Sequence, residues 1–121
     1  MIDKRLIKII LLDQAKTAFE ELNRVVGKQR AQGVKNSEEM QLLKSIKQKS
    51  ELLKINPTYG DKVPHNLIPK ELNVSNLFRI ELTGYWRMIY SLEGNKIEIV
   101  AFILYLVDHP TYDKMFGYRK K

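Results

Sequence analysis

The chain contains no cysteine. Disulfide staples and thiolate zinc sites are therefore excluded outright. Histidine is nearly as scarce, and the two present, His65 and His109, lack a spacing typical of metal sites. No apolar run approaches the roughly 20 residues that a membrane-spanning helix needs; the longest, Ile99 to Val107, has about nine. The opening residues Met1-Ile2-Asp3-Lys4 do not lead into a basic segment, apolar run and small-residue cleavage site. There is no phosphate-binding glycine loop, no Ser/His/Asp signature, no internal repeat and no low-complexity linker. These absences predict a soluble, cytoplasmic protein away from the membrane, with no metal and no cofactor.

Acidic residues are also in deficit, with 14 Asp and Glu against 21 Lys and Arg, a formal net charge of +7. A basic balance of this size favours a polyanion or an acidic protein as partner. A merely soluble Lys-rich surface is the plain alternative, and a thermophilic source or a compositional bias of the genome produces the same excess. At 121 residues, 44% of them hydrophobic, the chain is one domain able to bury a core of its own.

The pattern along the chain gives the order of elements. Residues 5–12 (RLIKIILL) are apolar and rich in β-branched side chains, which fits a first strand; a helix running on into the next segment is the rival. Asp13 then reads as a helix N-cap. Ala15, Ala18, Phe19, Leu22, Val25 and Val26 recur at helical spacing over residues 14–31, and Gly33 ends that helix. Asn36 or Ser37 caps a second helix over about residues 38–55, with Glu38 and Glu39 at the positive end of its dipole. Leu42, Leu43, Ile46 and Leu53 form its buried stripe, and Pro57 cannot continue it. The two helices make an antiparallel hairpin with one apolar side.

Residues 57–75 hold Pro57, Gly60, Pro64 and Pro69 and read as a long irregular connection, either functional or a linker packed down by Leu67 and Ile68. Strands follow over about 76–83, 86–92 and 96–107, joined by turns at Thr83-Gly84-Tyr85 and Gly94-Asn95. The last strand is apolar on both faces, which marks a central position in the sheet. The predicted class is α+β, a single domain ordered β-α-α-β-β-β, with the helical hairpin packed on one face of an antiparallel-rich sheet.

Two stretches carry a family resemblance. Gly84-Tyr85-Trp86-Arg87-Met88-Ile89-Tyr90 resembles the turn and Arg-x-x-Tyr that open the third strand of the RelE/ParE superfamily of type II toxin–antitoxin toxins. Asp108-His109-Pro110-Thr111-Tyr112-Asp113, with Phe116-Gly117-Tyr118, resembles the histidine–tyrosine tail of a RelE-like branch often seen in archaea and thermophiles. Tyr59-Gly60-Asp61-Lys62 and Ile68-Pro69-Lys70 also fit that branch. The likeness is close over residues 57–118 and architectural over the helices. It implies an endoribonuclease that cuts mRNA on the ribosome and is held inactive by an acidic antitoxin wrapped around it. The ParE branch shares the fold but poisons gyrase, so activity has to be argued from the site.

Cleavage of RNA without metal uses the 2′-hydroxyl as nucleophile on the adjacent phosphorus. The protein supplies a base, a cation for the phosphorane and an acid for the leaving 5′-oxygen. His109 is the first choice for acid or base, because histidine can be either near neutrality; Asp108 or Asp113 would orient it. The plain alternative is a hydrogen-bonded histidine at a strand end. Arg87 is the choice for the phosphate cation, since a guanidinium matches phosphate oxygens in fork geometry; the alternative is a salt bridge to Glu81 or Glu98. Tyr112 donates a proton, positions the phosphate or stacks on a base, or else closes the core. Phe116 and Tyr118 read as packing residues. By strand alternation Trp86 should face away from Arg87, beneath the helices.

Arg79, Lys62 and Lys70 are the remaining RNA-binding candidates. By the resemblance Arg79 occupies a position where RelE-like enzymes use a basic residue, while Glu81 stands where a second is common. Glu81 would repel phosphate from Arg79's face, or act as the base. Whether Arg79 and Arg87 share a face depends on the turn: two residues separate them, three residues or a bulge bring them together. Two other functions remain open on this fold, a non-catalytic gyrase inhibitor and a non-cleaving RNA- or ribosome-binding module.

Overall fold

The structure, a computed structural model, describes residues 5–117; Tyr118 lies outside the described residues. Five strands form one sheet: β1 (Leu6–Leu11), β2 (Asp61–Lys62), β3 (Phe78–Glu81), β4 (Arg87–Gly94) and β5 (Glu98–Val107), in the order β1-β5-β4-β3-β2. β5 runs parallel to β1 on one side and antiparallel to β4 on the other. Being internal, it must present apolar side chains to both faces. Ala101, Ile103 and Leu106 join one core, and Val107 joins another on the opposite face.

Helices α1 (Asp13–Ala31) and α2 (Glu38–Ile55) cover the first face. Ala15, Leu22 and Val26 from α1, with Leu42, Leu43, Ile46 and Leu53 from α2, pack on Phe78, Ile80, Met88 and Tyr90. Ser37 caps α2, its side chain accepting the Met40 N–H at 3.1 Å. Asp13 does not cap α1. Leu12 still donates to the Ile103 carbonyl at 3.0 Å, so the chain stays paired to β5 until Leu12. The cap position falls on that apolar residue, without a side-chain bond, and Asp13 becomes the first helical residue.

The second face is covered by elements that sequence periodicity did not supply. A third helix, α3 (His109–Phe116), follows β5 almost at once and carries the histidine–tyrosine tail. Eight residues opening His-Pro are too few to show a helical repeat. The connection before β3 contains β2 and short 3-10 turns at His65–Leu67 and Lys70–Leu72. Val63, Leu77, Ile89, Val107 and Tyr112 form the core beneath it, with Ile68, Leu72 and Phe116 packed against them. The Tyr90 hydroxyl pins the start of this segment, donating to the Pro57 carbonyl at 2.8 Å and accepting the Gly60 N–H at 3.0 Å. No helix among the described residues is long and apolar enough to cross a membrane.

The turn between β3 and β4 fixes the register that matters for the site. The Leu82 N–H bonds the Trp86 carbonyl at 2.8 Å, closing a three-residue turn at Thr83–Tyr85. Gly84 and Tyr85 both take positive φ there, 69° and 65°. An odd number of turn residues makes Glu81 the partner of Arg87 and Arg79 the partner of Ile89. Directly opposed residues share a face, so Arg79, Glu81 and Arg87 all lie on the α3 side. Trp86 packs against the helical core on the other side, as strand alternation requires.

Candidate functional site

On the α3 side of β3 and β4, the sheet presents a small charged lattice. Asp61 on β2 stands opposite Arg79, and Glu81 on β3 stands opposite Arg87. Arg79 and Arg87 are diagonal neighbours across the strand pair, about 7–8 Å apart at the backbone. Tyr112, one turn into α3, closes over them. The residue is only 2% exposed, and the Arg79 and Arg87 guanidinium carbons each lie 5.7 Å from its ring centroid. That is cation–π distance. The Tyr112 hydroxyl accepts a hydrogen bond from Arg79 Nη1 at 2.9 Å, and Phe116 stacks on the same ring at 4.4 Å.

Two guanidinium groups held against one ring repel each other, and the nearby carboxylates offset this weakly. Glu81 Oε2 is 3.7 Å from Arg87 Nη2, and Asp61 Oδ2 is 4.0 Å from Arg79 Nε. Both distances exceed hydrogen-bond length. Both carboxylates are mostly in solvent, at 69% and 77% exposure, whereas the Arg87 side chain is 12% exposed. Arg87 Nη1 donates to the Trp86 carbonyl at 3.3 Å. Arg87 Nε is buried with no hydrogen-bond partner among the described residues, a rare condition for such a donor. The result is a pair of fixed cations on a rigid support, a chemistry suited to phosphate oxygens.

His109 opens α3, two residues beyond Val107, which is itself the strand partner of Arg87. Its side chain is 46% exposed, and Nδ1 lies 3.1 Å from Asp113 Oδ2, one turn on. A carboxylate on Nδ1 fixes the ring and leaves Nε2 for other work. Asp113 is therefore the orienting carboxylate. Asp108 has a different job: it caps α3, accepting the Thr111 N–H at 3.0 Å. Hydrogen bonds from Thr111 hold the Asp108 carboxyl below the usual carboxylate range.

The other sequence candidates scatter. Lys62 is the strand partner of Phe78, so alternation directs it to the helical side, away from Arg79. Lys70 sits exposed in the second 3-10 turn. Glu98, the other acid considered for Arg87, pairs instead with Lys8 at 3.3 Å. Part of the basic surplus lies elsewhere: Arg30, Lys35, Lys44 and Lys47 line a separate hollow of about 670 Å³ beside the turn between α1 and α2. Asp61 was not singled out from sequence. Its strand is two residues long, too short for any periodic signal, and only pairing with β3 brings it to Arg79. Among the described residues no cluster of three or more His, Asp or Glu could hold a metal ion. No family model, curated protein or solved structure gives a significant match to the chain.

Proposed function

We propose that this chain is a RelE-like toxin of a type II toxin–antitoxin system, a metal-independent endoribonuclease that cleaves mRNA in association with the ribosome. The observation that carries the reading is the sharing of one sheet face by Arg79 and Arg87 against Tyr112, with His109 one turn earlier on the same helix. Arg87 supplies the buried positive charge against which the phosphorane's extra negative charge develops. Arg79 adds a second phosphate contact, and Tyr112 positions it through the hydroxyl bond. With Tyr112 nearly enclosed, its role is to hold the arginines rather than to stack on a base. His109, braced by Asp113, moves a proton at one end of the in-line displacement, and the proton at the other end is left to solvent. The inhibiting partner is an acidic antitoxin that neutralises this basic face.

The test is cleavage of mRNA by purified protein with and without ribosomes, reading the new ends. Attack by the 2′-hydroxyl leaves 2′,3′-cyclic phosphates. His109→Ala should lower the rate by about 10²–10⁴-fold, and Arg87→Ala by about 10²–10³-fold, with both proteins folded. Full growth arrest on expression of both variants would remove the nuclease reading. A second reading, a non-cleaving RNA- or ribosome-binding module, draws on the carboxylate of Glu81 beside Arg87. RNA retained without cyclic phosphate ends selects it. Inhibition of supercoiling with no effect on RNA selects the gyrase-directed alternative.

A further inference from the structure

The alternation Asp61–Arg79 and Glu81–Arg87 across neighbouring strands has no strong structural purpose. Exposed ion pairs contribute little to stability, and here both pairs are longer than hydrogen bonds. The two carboxylates nevertheless stand next to the two guanidinium groups that a phosphate would seek. A phosphate oxygen bound by a guanidinium sits at about 2.7–2.9 Å, closer than either carboxylate now lies. Both acids are more than two-thirds exposed, so each can swing into water when a tighter anion arrives.

We infer that Asp61 and Glu81 are internal counter-ions of the arginine pair, displaced by two successive phosphates of single-stranded RNA. This rests on the nucleic-acid reading of the Arg79–Arg87 face and extends it. Glu81 is then a competitor for Arg87, not a catalytic base. One phosphate displaces one carboxylate and stays near the charge of the other. Two neighbouring phosphates displace both, because the arginines are diagonal neighbours on one face. The acids thus weaken binding of isolated anions more than binding of a polynucleotide.

The experiment uses the full chain and a fluorescently labelled 2′-O-methyl octanucleotide, which cannot be cleaved because its 2′-oxygen is blocked. Binding is read by anisotropy across a salt series. Glu81→Gln and Asp61→Asn should each tighten binding about fivefold at low salt, the worth in water of one unit-charge attraction near 4 Å that the anion otherwise has to displace. The gain should shrink as salt rises. It should vanish for Glu81→Gln in an Arg87→Ala background, and for Asp61→Asn in an Arg79→Ala background. Glu20→Gln, on the exposed surface of α1, should give no comparable gain. Equal tightening by Glu20→Gln would reduce the effect to net charge and overturn the inference. So would unchanged binding in Glu81→Gln and Asp61→Asn while Arg87→Ala still weakens it, an outcome that leaves the nucleic-acid reading standing. Loss of RNA cleavage in Glu81→Gln without tighter binding would make Glu81 the base and also overturn it. No binding by wild type or either variant at any salt would remove both the inference and the reading beneath it.

Discussion

Replacing Tyr90 with phenylalanine keeps the ring and removes one oxygen. The ring is fully buried and stacks on Phe78 at 5.2 Å, so packing is preserved. What is lost is the pair of bonds that pins the start of the 57–75 connection, to the Pro57 carbonyl and from the Gly60 N–H. Two backbone groups are left without a partner, at a cost of about 1–3 kcal/mol. For a chain of this length that is about 3–5 °C in Tm per kcal/mol. A second consequence appears at high pH. Burial pushes the Tyr90 hydroxyl up to about 12; the Gly60 hydrogen bond pulls it down and the nearby Asp61 charge pushes it up further. The folded state therefore favours the neutral phenol. Its contribution is fully present below the unfolded value near 10 and is lost as pH rises through about 12. That gap corresponds to roughly 2–3 kcal/mol. Urea unfolding of wild type and Tyr90→Phe should differ by about 1–3 kcal/mol at pH 7, and the difference should close steadily above pH 10. Equal stability at pH 7, or parallel alkaline slopes, would refute the tether. Its loss should also loosen β2, and with it the placement of Asp61 opposite Arg79.

Gly60→Ala should be destabilising by about 1–3 kcal/mol, because a Cβ there would meet the Arg79 carbonyl oxygen at 2.8 Å and the Tyr90 ring at 3.0 Å. Gly27→Ala should do the reverse: nothing lies within 4 Å of its Cβ, and alanine gains about 0.5–1 kcal/mol in a helix interior. Thermal melts of the two proteins side by side check both. Asp108→Ala removes the cap of α3 and should cost about 0.5–2 kcal/mol at neutral pH. Since Thr111 lowers the Asp108 pKa in the fold, this stabilisation is present above the ordinary aspartate range and fades as pH falls through the depressed value. The wild type and variant melts should therefore converge in acid. Tyr112→Phe leaves packing against Phe116 intact but releases Arg79 from its 2.9 Å bond. RNA cleavage should fall about tenfold with a shift in Tm of only a few degrees, the yield of one hydrogen bond; a catalytic rate unchanged from wild type would count against the positioning role.

The sequence by itself determined the elements whose periodicity is long. The stripes Ala15–Val26 and Leu42–Leu53 built the helical pair on one face, and the two-sided apolar run of residues 98–107 had to be the internal strand, because only an internal strand can bury both faces. Alternation alone sent Trp86 to the helical core. Residue type marked Arg87 and His109 as groups able to meet a phosphate and move a proton. Tertiary structure decided what depends on long-range pairing. A three-residue turn rather than a two-residue one brought Arg79 to the face of Arg87, a parity that no local pattern encodes. A two-residue strand delivered Asp61 and sent Lys62 the other way. The eight-residue α3 enclosed Tyr112, gave Asp108 to the helix end and left Asp113 to hold His109. Elements this short carry too few residues to announce themselves; they exist because the sheet's second apolar face needs a cover, and the cover is what assembles the charged site.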